Sequence, residues 1–189
     1  MKGVRIFLAN GFEDIEALAV CDVLRRGGVD VKLVGLERGT VVSSHGVNVQ
    51  PDLCLEDLPD NEQAAGEKDV MVFPGGMPGS KTLAGCTRLI EAACRHYSQG
   101  GTLAAICAAP GLVLSQIDIP QGSKFTCFDG FQDALESKGC IFTGEPAVRS
   151  GRIVTGRSAG HAVTFGLEIL RLIKGDEAAA EVRHAMFLY

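Results

Sequence analysis

One eleven-residue segment constrains this chain more than any other: Gly101-Thr-Leu-Ala-Ala-Ile-Cys107-Ala-Ala-Pro-Gly111. An apolar run, Leu103 to Ile106, ends in a cysteine, and small residues fit to open a helix follow at once. That order describes a buried strand turning sharply into a helix, with the corner residue lifted above the sheet. A sulfur at such a corner points into a crevice near the positive end of the following helix. Thiolates there titrate below the ~8.5 of a free cysteine. The segment alone leaves two readings of Cys107 open: a nucleophile or redox centre, and a small buried core cysteine.

At 189 residues the chain is most simply one domain, 1–189, long enough to bury a large core. The longest apolar stretches fall well short of the ~20 residues needed to cross a bilayer. The start, Met1 to Ala9, resembles a secretory leader, but its apolar part is short and Glu13 and Asp14 follow directly. A first strand is the better reading, and a cytoplasmic location follows from it. The net charge of −5, with no basic run, speaks against nucleic-acid binding, and the short apolar runs speak against a membrane. Seven cysteines without a Cys-x-x-Cys pair argue against a disulfide framework and a zinc site, so no metal is expected. Cys94 and His96, two apart on a helix, point to different faces.

Strands and helices alternate along the chain. Strands are expected at Val4–Ala9, Val29–Leu36, Asp69–Phe73 and Thr102–Ile106, with short ones at Lys124–Thr126 and Arg152–Thr155. Thr40–Ser43 and Val47–Gln50 read as a hairpin around His45-Gly46. Helices are expected over Asp14–Arg26, Cys86–Ser98, Ala162–Lys174 and Asp176 to about His184, and Asp60–Lys68 reads as a polar loop. Apolar strands separated by helices indicate an α/β fold, a mainly parallel sheet covered on both faces. Ligands of such folds bind beyond the carboxyl ends of the strands. Three loops meet there: Asn10–Glu13, Pro74–Met77 and the Cys107 corner.

Glu16, in the first turn of the first helix, borders that crevice. It either complements the helix dipole, as Glu13 and Asp14 do, or serves the sulfur. In the second case its pKa rises, because two anions do not share a poorly solvated site, and the protonated acid donates a hydrogen bond to sulfur. Phe73-Pro-Gly-Gly-Met-Pro-Gly-Ser80 offers backbone amides to an oxyanion, or is simply a tight turn. Ser80 before Lys81 breaks the phosphate-loop pattern. His45, His96 and His184 read as surface histidines. His161 opens a helix at a strand end, where a local structural role is favoured over a place in the crevice. Arg26 meets the negative pole of the first helix.

Taken in order, Ala9-Asn-Gly-Phe-Glu-Asp-Ile-Glu16-Ala, Asp22-Val-Leu-Arg-Arg-Gly-Gly28, Val72-Phe-Pro-Gly-Gly76, Ala104-Ala-Ile-Cys107-Ala-Ala-Pro110 and Thr155-Gly-Arg-Ser-Ala-Gly160 resemble the signature segments of the DJ-one/ThiJ/PfpI superfamily. The resemblance runs nearly end to end. It implies a flavodoxin-like three-layer sandwich that forms a homodimer and needs no cofactor. Cys107 would be the elbow nucleophile and oxidation-sensitive thiol, Glu16 its acid partner, and the amides of Gly75 and Ala108 the oxyanion site. Arg26 would match an arginine near both dimer interface and active site. Gly76, Cys127, Phe128, Arg157 and His161 would be pocket candidates. The implied activity is glyoxalase or deglycase chemistry on small α-oxoaldehydes or their adducts. The alternative is a redox sensor or chaperone-like protective protein. Two departures stand out. Ala108 occupies a position where the peptidase-like branch has histidine, and Phe128 replaces a histidine that some members carry near the active site.

Overall fold

A computed structural model describes residues 1–58 and 64–188. Part of the expected loop 60–68 therefore lies outside the described residues. In chain order the strands are β1 (Val4–Leu8), β2 (Val31–Gly35), β3 (Val41–Val42), β4 (Asn48–Val49), β5 (Leu53–Cys54), β6 (Val70–Phe73), β7 (Thr102–Ile106), β8 (Lys124–Phe125), β9 (Ile141–Phe142), β10 (Ala147–Ser150) and β11 (Ile153–Gly156). The helices are α1 (Asp14–Arg26), α2 (Gly79–Gly85), α3 (Thr87–Ser98), α4 (Ala109–Leu112), α5 (Asp133–Glu136), α6 (Ala162–Lys174) and α7 (Asp176–Ala185).

The main sheet has the order β10-β11-β7-β6-β1-β2-β5. Its pairings are parallel except at the edge, where β10 runs antiparallel to β11. Residues alternate between its two faces, as the pleat requires. Ile6 and Leu8 join one core with Val20, Leu24, Phe165, Ile169 and Leu170 of α1 and α6. Phe7, between them, joins the other core with Leu83, Leu89 and Ala93 of α2 and α3, and its ring stacks on Phe73 at 5.6 Å. Three layers result. A side chain at Gly166 would crowd Val23 at 3.2 Å, and one at Gly27 would overlap Leu170, which explains glycine where α1 and α6 touch.

From β1 the chain first builds outward to β2 and β5, then returns to β6 on the opposite side. The gap above β1 and β6 is thus the switch point at which open α/β sheets bind ligands. The first helix, the β3–β4 hairpin and the last two helices lie close to their sequence-based bounds. Val29 and Asp30 precede β2, because the Val29 amide still closes the turn after α1 on Leu24 O at 3.0 Å. Lys124 and Phe125 pair with Ile141 and Phe142 in a separate two-stranded sheet. Among the described residues no helix is long and apolar enough to cross a membrane.

Candidate active site

The corner after β7 forms as the sequence implies. Cys107 has φ +65°, the left-handed region that side-chain-bearing residues rarely occupy, and such a conformation costs about 1–3 kcal/mol. The surroundings enforce it from both sides. The Cys107 amide donates to Gly156 O at 3.0 Å, and its carbonyl accepts from the Phe128 amide at 2.8 Å. The sulfur-bearing residue is half-buried.

Glu16 approaches from α1 and is fully buried. Glu13 caps that helix, its carboxylate accepting from the Glu16 amide at 2.8 Å, which fixes the first turn. Glu16 Oε2 accepts from the Gly75 amide at 2.7 Å. Its other oxygen, Oε1, is buried without a hydrogen-bond partner. The Cys107 side chain lies close enough to act on its charge. Gly75 is the hinge of this arrangement. A side chain there would fall 2.3 Å from Glu16 Oε2 and 2.6 Å from the Cys107 Cβ. Gly76 has φ +88° and would place a Cβ 2.4 Å from the Glu13 amide nitrogen. Only glycine fits either place.

Burial pushes the Glu16 carboxyl up to about 7, against the opposing pull of Cys107 and the Gly75 amide. The rise expected from the sequence is present. The Cys107 thiol moves opposite to expectation. Burial, then the negative charge of Glu16, pushes it up to about 12, while the Ala108 and Gly76 amides pull it down. The helix expected to lower it, α4, spans only four residues, too few to build a strong dipole. Near neutral pH the pair is poised to lose one proton, which the two coupled groups share as one titration.

The oxyanion donors need one correction. The Gly75 amide is committed to Glu16, whereas the amides facing the sulfur are those of Gly76 and Ala108. Cys127 is also corrected. It is fully buried in the core on the α2–α3 side, and burial pushes its thiol up to about 11. Arg26 ion-pairs with Asp22 at 2.7 Å, ten residues beyond Glu16 and so about 15 Å along the helix axis. Within the protomer it is not a site residue. Arg157 holds the loop under Cys107, donating to Cys127 O at 3.3 Å and Asp129 at 2.6 Å. The His161 ring meets Ser158 Oγ at 3.2 Å, in keeping with the favoured local role.

One histidine departs from its sequence reading. His96 is buried, its Nε2 donating to the carbonyls of Asp69 and Thr102 at 3.0 and 3.1 Å. Burial pushes its pKa down to about 4. Gly101 makes the space, since a side chain there would overlap the ring. His45 is exposed, as read from the sequence, with its Nδ1 2.6 Å from Asp14, whose other oxygen accepts from Ser43 Oγ at 2.5 Å. No sequence spacing signals that contact, because it depends on how the hairpin lies on the start of α1.

Comparison with known proteins decides the family. The model of the DJ-1/PfpI family matches residues 2–172. The chain belongs to that family. It is 36% identical over 189 residues to the Arabidopsis thaliana protein DJ-1 homolog A, covering 99% of this chain and 47% of that protein. It is 30% identical over 165 residues to the Caenorhabditis elegans protein named glutathione-independent glyoxalase DJR-1.2, covering 87% of this chain and 84% of that protein. Its fold superposes on Toxoplasma gondii DJ-1 in an oxidized form with a TM-score of 0.89 at 27% identity, covering all of both chains. The chain thus spans about half the length of the plant relative. The expected flavodoxin-like architecture is the one present.

Proposed function

We propose that this member of the DJ-1/PfpI family is a cofactor-free enzyme that converts small 2-oxoaldehydes, free or as their early adducts, into 2-hydroxy acids. The observation that carries the reading is Glu16: a fully buried carboxyl, poised near neutral pH, against a nucleophile held in a strained corner. A base with a pKa near the working pH is the efficient one. The relative named a glutathione-independent glyoxalase supports the substrate class.

In this scheme the Glu16 carboxylate accepts the thiol proton as the Cys107 sulfur bonds to the aldehyde carbon. No standing thiolate is required. The Gly76 and Ala108 amides hold the developing oxyanion, and Glu16 returns the proton to give a hemithioacetal. Glu16 then removes the hydrogen on the former aldehyde carbon and delivers it to the neighbouring carbon, leaving a thioester. Water cleaves the thioester, releasing the 2-hydroxy acid and the thiol. The net change is addition of one water, with no oxidant or reductant consumed.

The test is lactate formation from methylglyoxal by the purified protein and by Cys107→Ala. The variant is expected to be inactive, and equal rates in both would eliminate the scheme. The activity of the active protein should rise with pH through about 7 as Glu16 ionises. The redox-sensor reading needs an acidic thiol, and the upward displacement of Cys107 disfavours it. Peroxide titration with peptide mapping checks this, with Cys107 expected to oxidise no faster than Cys86 or Cys94, which are also half-buried. The proposal includes a single functional domain, a cytoplasmic location and a homodimer. Exposed Val42 and Val47 on the β3–β4 hairpin support the dimer, and light scattering tests it.

A further inference from the structure

We propose that Arg157 is a positioning residue for the nucleophile: its guanidinium clamps the loop after β8 and thereby holds Cys107 in its left-handed conformation. The φ of +65° at Cys107 persists only while the surrounding structure over-determines it. Two backbone tethers do so. The Cys107 amide ends on Gly156 O at 3.0 Å, and the Phe128 amide reaches the Cys107 carbonyl at 2.8 Å. Both tethers run to Arg157. It follows Gly156 directly in the chain, and its guanidinium donates to Cys127 O at 3.3 Å and to Asp129 Oδ1 at 2.6 Å, the two residues that flank Phe128.

The two tethers differ in their support. Gly156 ends β11, where it pairs with Ile106 of β7 on one side and Ala147 of β10 on the other. Phe128 lies in a stretch, residues 126–132, that is neither helix nor strand. Burial of Cys127 anchors that stretch on one side, and the Thr126 amide donates to Thr155 Oγ1 at 2.9 Å. Phe128, Asp129 and Gly130 are exposed, so the carbonyl tether depends on hydrogen bonds rather than packing. The Arg157 clamp spans this point.

The clamp is itself held. The Arg157 side chain is only 25% exposed, its guanidinium lies 5.5 Å from the centre of the Phe142 ring, and its own amide donates to Pro146 O at 3.0 Å. A planar fork with two acceptors fixes direction as well as distance, which the point charge of a lysine does not. The groups that act on the protonation of the Cys107 thiol are Glu16 and the Ala108 and Gly76 amides. Arg157 acts instead on where the sulfur points.

The assignment concerns the corner and stands whatever Cys107 reacts with, so its first test needs no turnover. Glycine accepts φ +65° without strain, so Cys107→Gly should melt about 3 °C above Cys107→Ala. Combining each with Arg157→Ala should shrink that gap by half or more, because the carbonyl tether no longer enforces the strained angle. A residue that only adds stability would lower both melting temperatures equally. An unchanged gap, or no gap in the parent pair, overturns the proposal. Asp129→Ala removes one arm of the clamp at an exposed side chain and should shrink the gap by less; should the Arg157 pair not fold, the Asp129 pair decides on the same terms.

On the proposed function, the same substitution also reads out in turnover of methylglyoxal by the full chain. Arg157→Ala should lower kcat by roughly 10- to 100-fold with KM nearly unchanged, and the pH midpoint near 7 should stay in place. Arg157→Lys should recover only part of the rate. A raised KM with kcat intact would make Arg157 a substrate-binding group, and a moved midpoint would make it an electrostatic one; either overturns the proposal. Absence of turnover in the unsubstituted protein sinks the enzyme reading and leaves the melting-gap test to decide this one.

Discussion

Replacing Glu16 by glutamine should make the protein more stable relative to wild type as pH rises from 4 to 8. The Glu16 carboxyl titrates at about 7 in the fold against an unperturbed 4.5. The displacement is upward, so the folded state keeps its proton where the unfolded chain has lost it. Its contribution is complete below pH 4.5 and is lost progressively as pH climbs through 7. At about 1.4 kcal/mol per pH unit, the whole window is worth about 3 kcal/mol for this fully buried group. Glutamine is nearly the same shape. Its carbonyl can still accept from the Gly75 amide. It has nothing to ionise.

Urea melts of both proteins at pH 4, 5, 6, 7 and 8 give the difference directly. The pH dependence of His96 is common to both proteins and cancels. The variant-minus-wild-type difference should grow by about 3 kcal/mol across the series, or roughly 10 °C in melting temperature for a chain of this size. A difference flat to within about 0.5 kcal/mol would show that Glu16 is not held protonated by burial, and would refute the mechanism built on its poise. The same variant removes the negative charge that holds Cys107 up. Its alkylation rate at pH 8 should therefore rise.

Other outcomes follow from the same geometry. Cys107→Gly should be about 1 kcal/mol more stable than Cys107→Ala, because glycine accepts φ +65° without strain; thermal melts of the two inactive variants decide it. Gly75→Ala should abolish turnover and cost about 2 kcal/mol or more, since its methyl overlaps Glu16 and Cys107; lactate formation and melts read both effects. His96, pushed down to about 4, contributes stability that is full above pH 6.5 and lost as pH falls through 4. His96→Gln should therefore show a shallower loss of stability between pH 6.5 and 4 in denaturant titrations.

The corner at Cys107 was legible because its signal is local: an apolar run, a cysteine and small residues in immediate succession. The same holds for α1 and α6, whose apolar spacing and glycine stops lie within one window. The interior of the site was less legible because it depends on contacts between distant segments. Two adjacent glycines at the end of β6 look alike in sequence, yet 59 residues of separation bring Glu16 to the first of them. That contact consumes Gly75 and leaves Gly76 to face the sulfur beside Ala108. His96 shows the same limit. Its helix spacing suggests surface, but the carbonyls of Asp69 and Thr102, from the starts of two neighbouring strands, draw the ring inward.

The thiol itself carries the most consequential difference. Sequence order places it at the start of a helix, where a standing anion would be favoured. Helix length is a tertiary outcome, and one turn of α4 supplies little field against the burial around the sulfur and the charge of Glu16. In the proposed mechanism the charge that the site holds near neutral pH is therefore placed on the carboxyl. From there, in that mechanism, it takes the proton from sulfur at the moment of attack, and burial raises the basicity of the acceptor. The proposed chemistry thus rests on Glu16 as much as on Cys107, and the pH response of Glu16 is the quantity on which the reading stands.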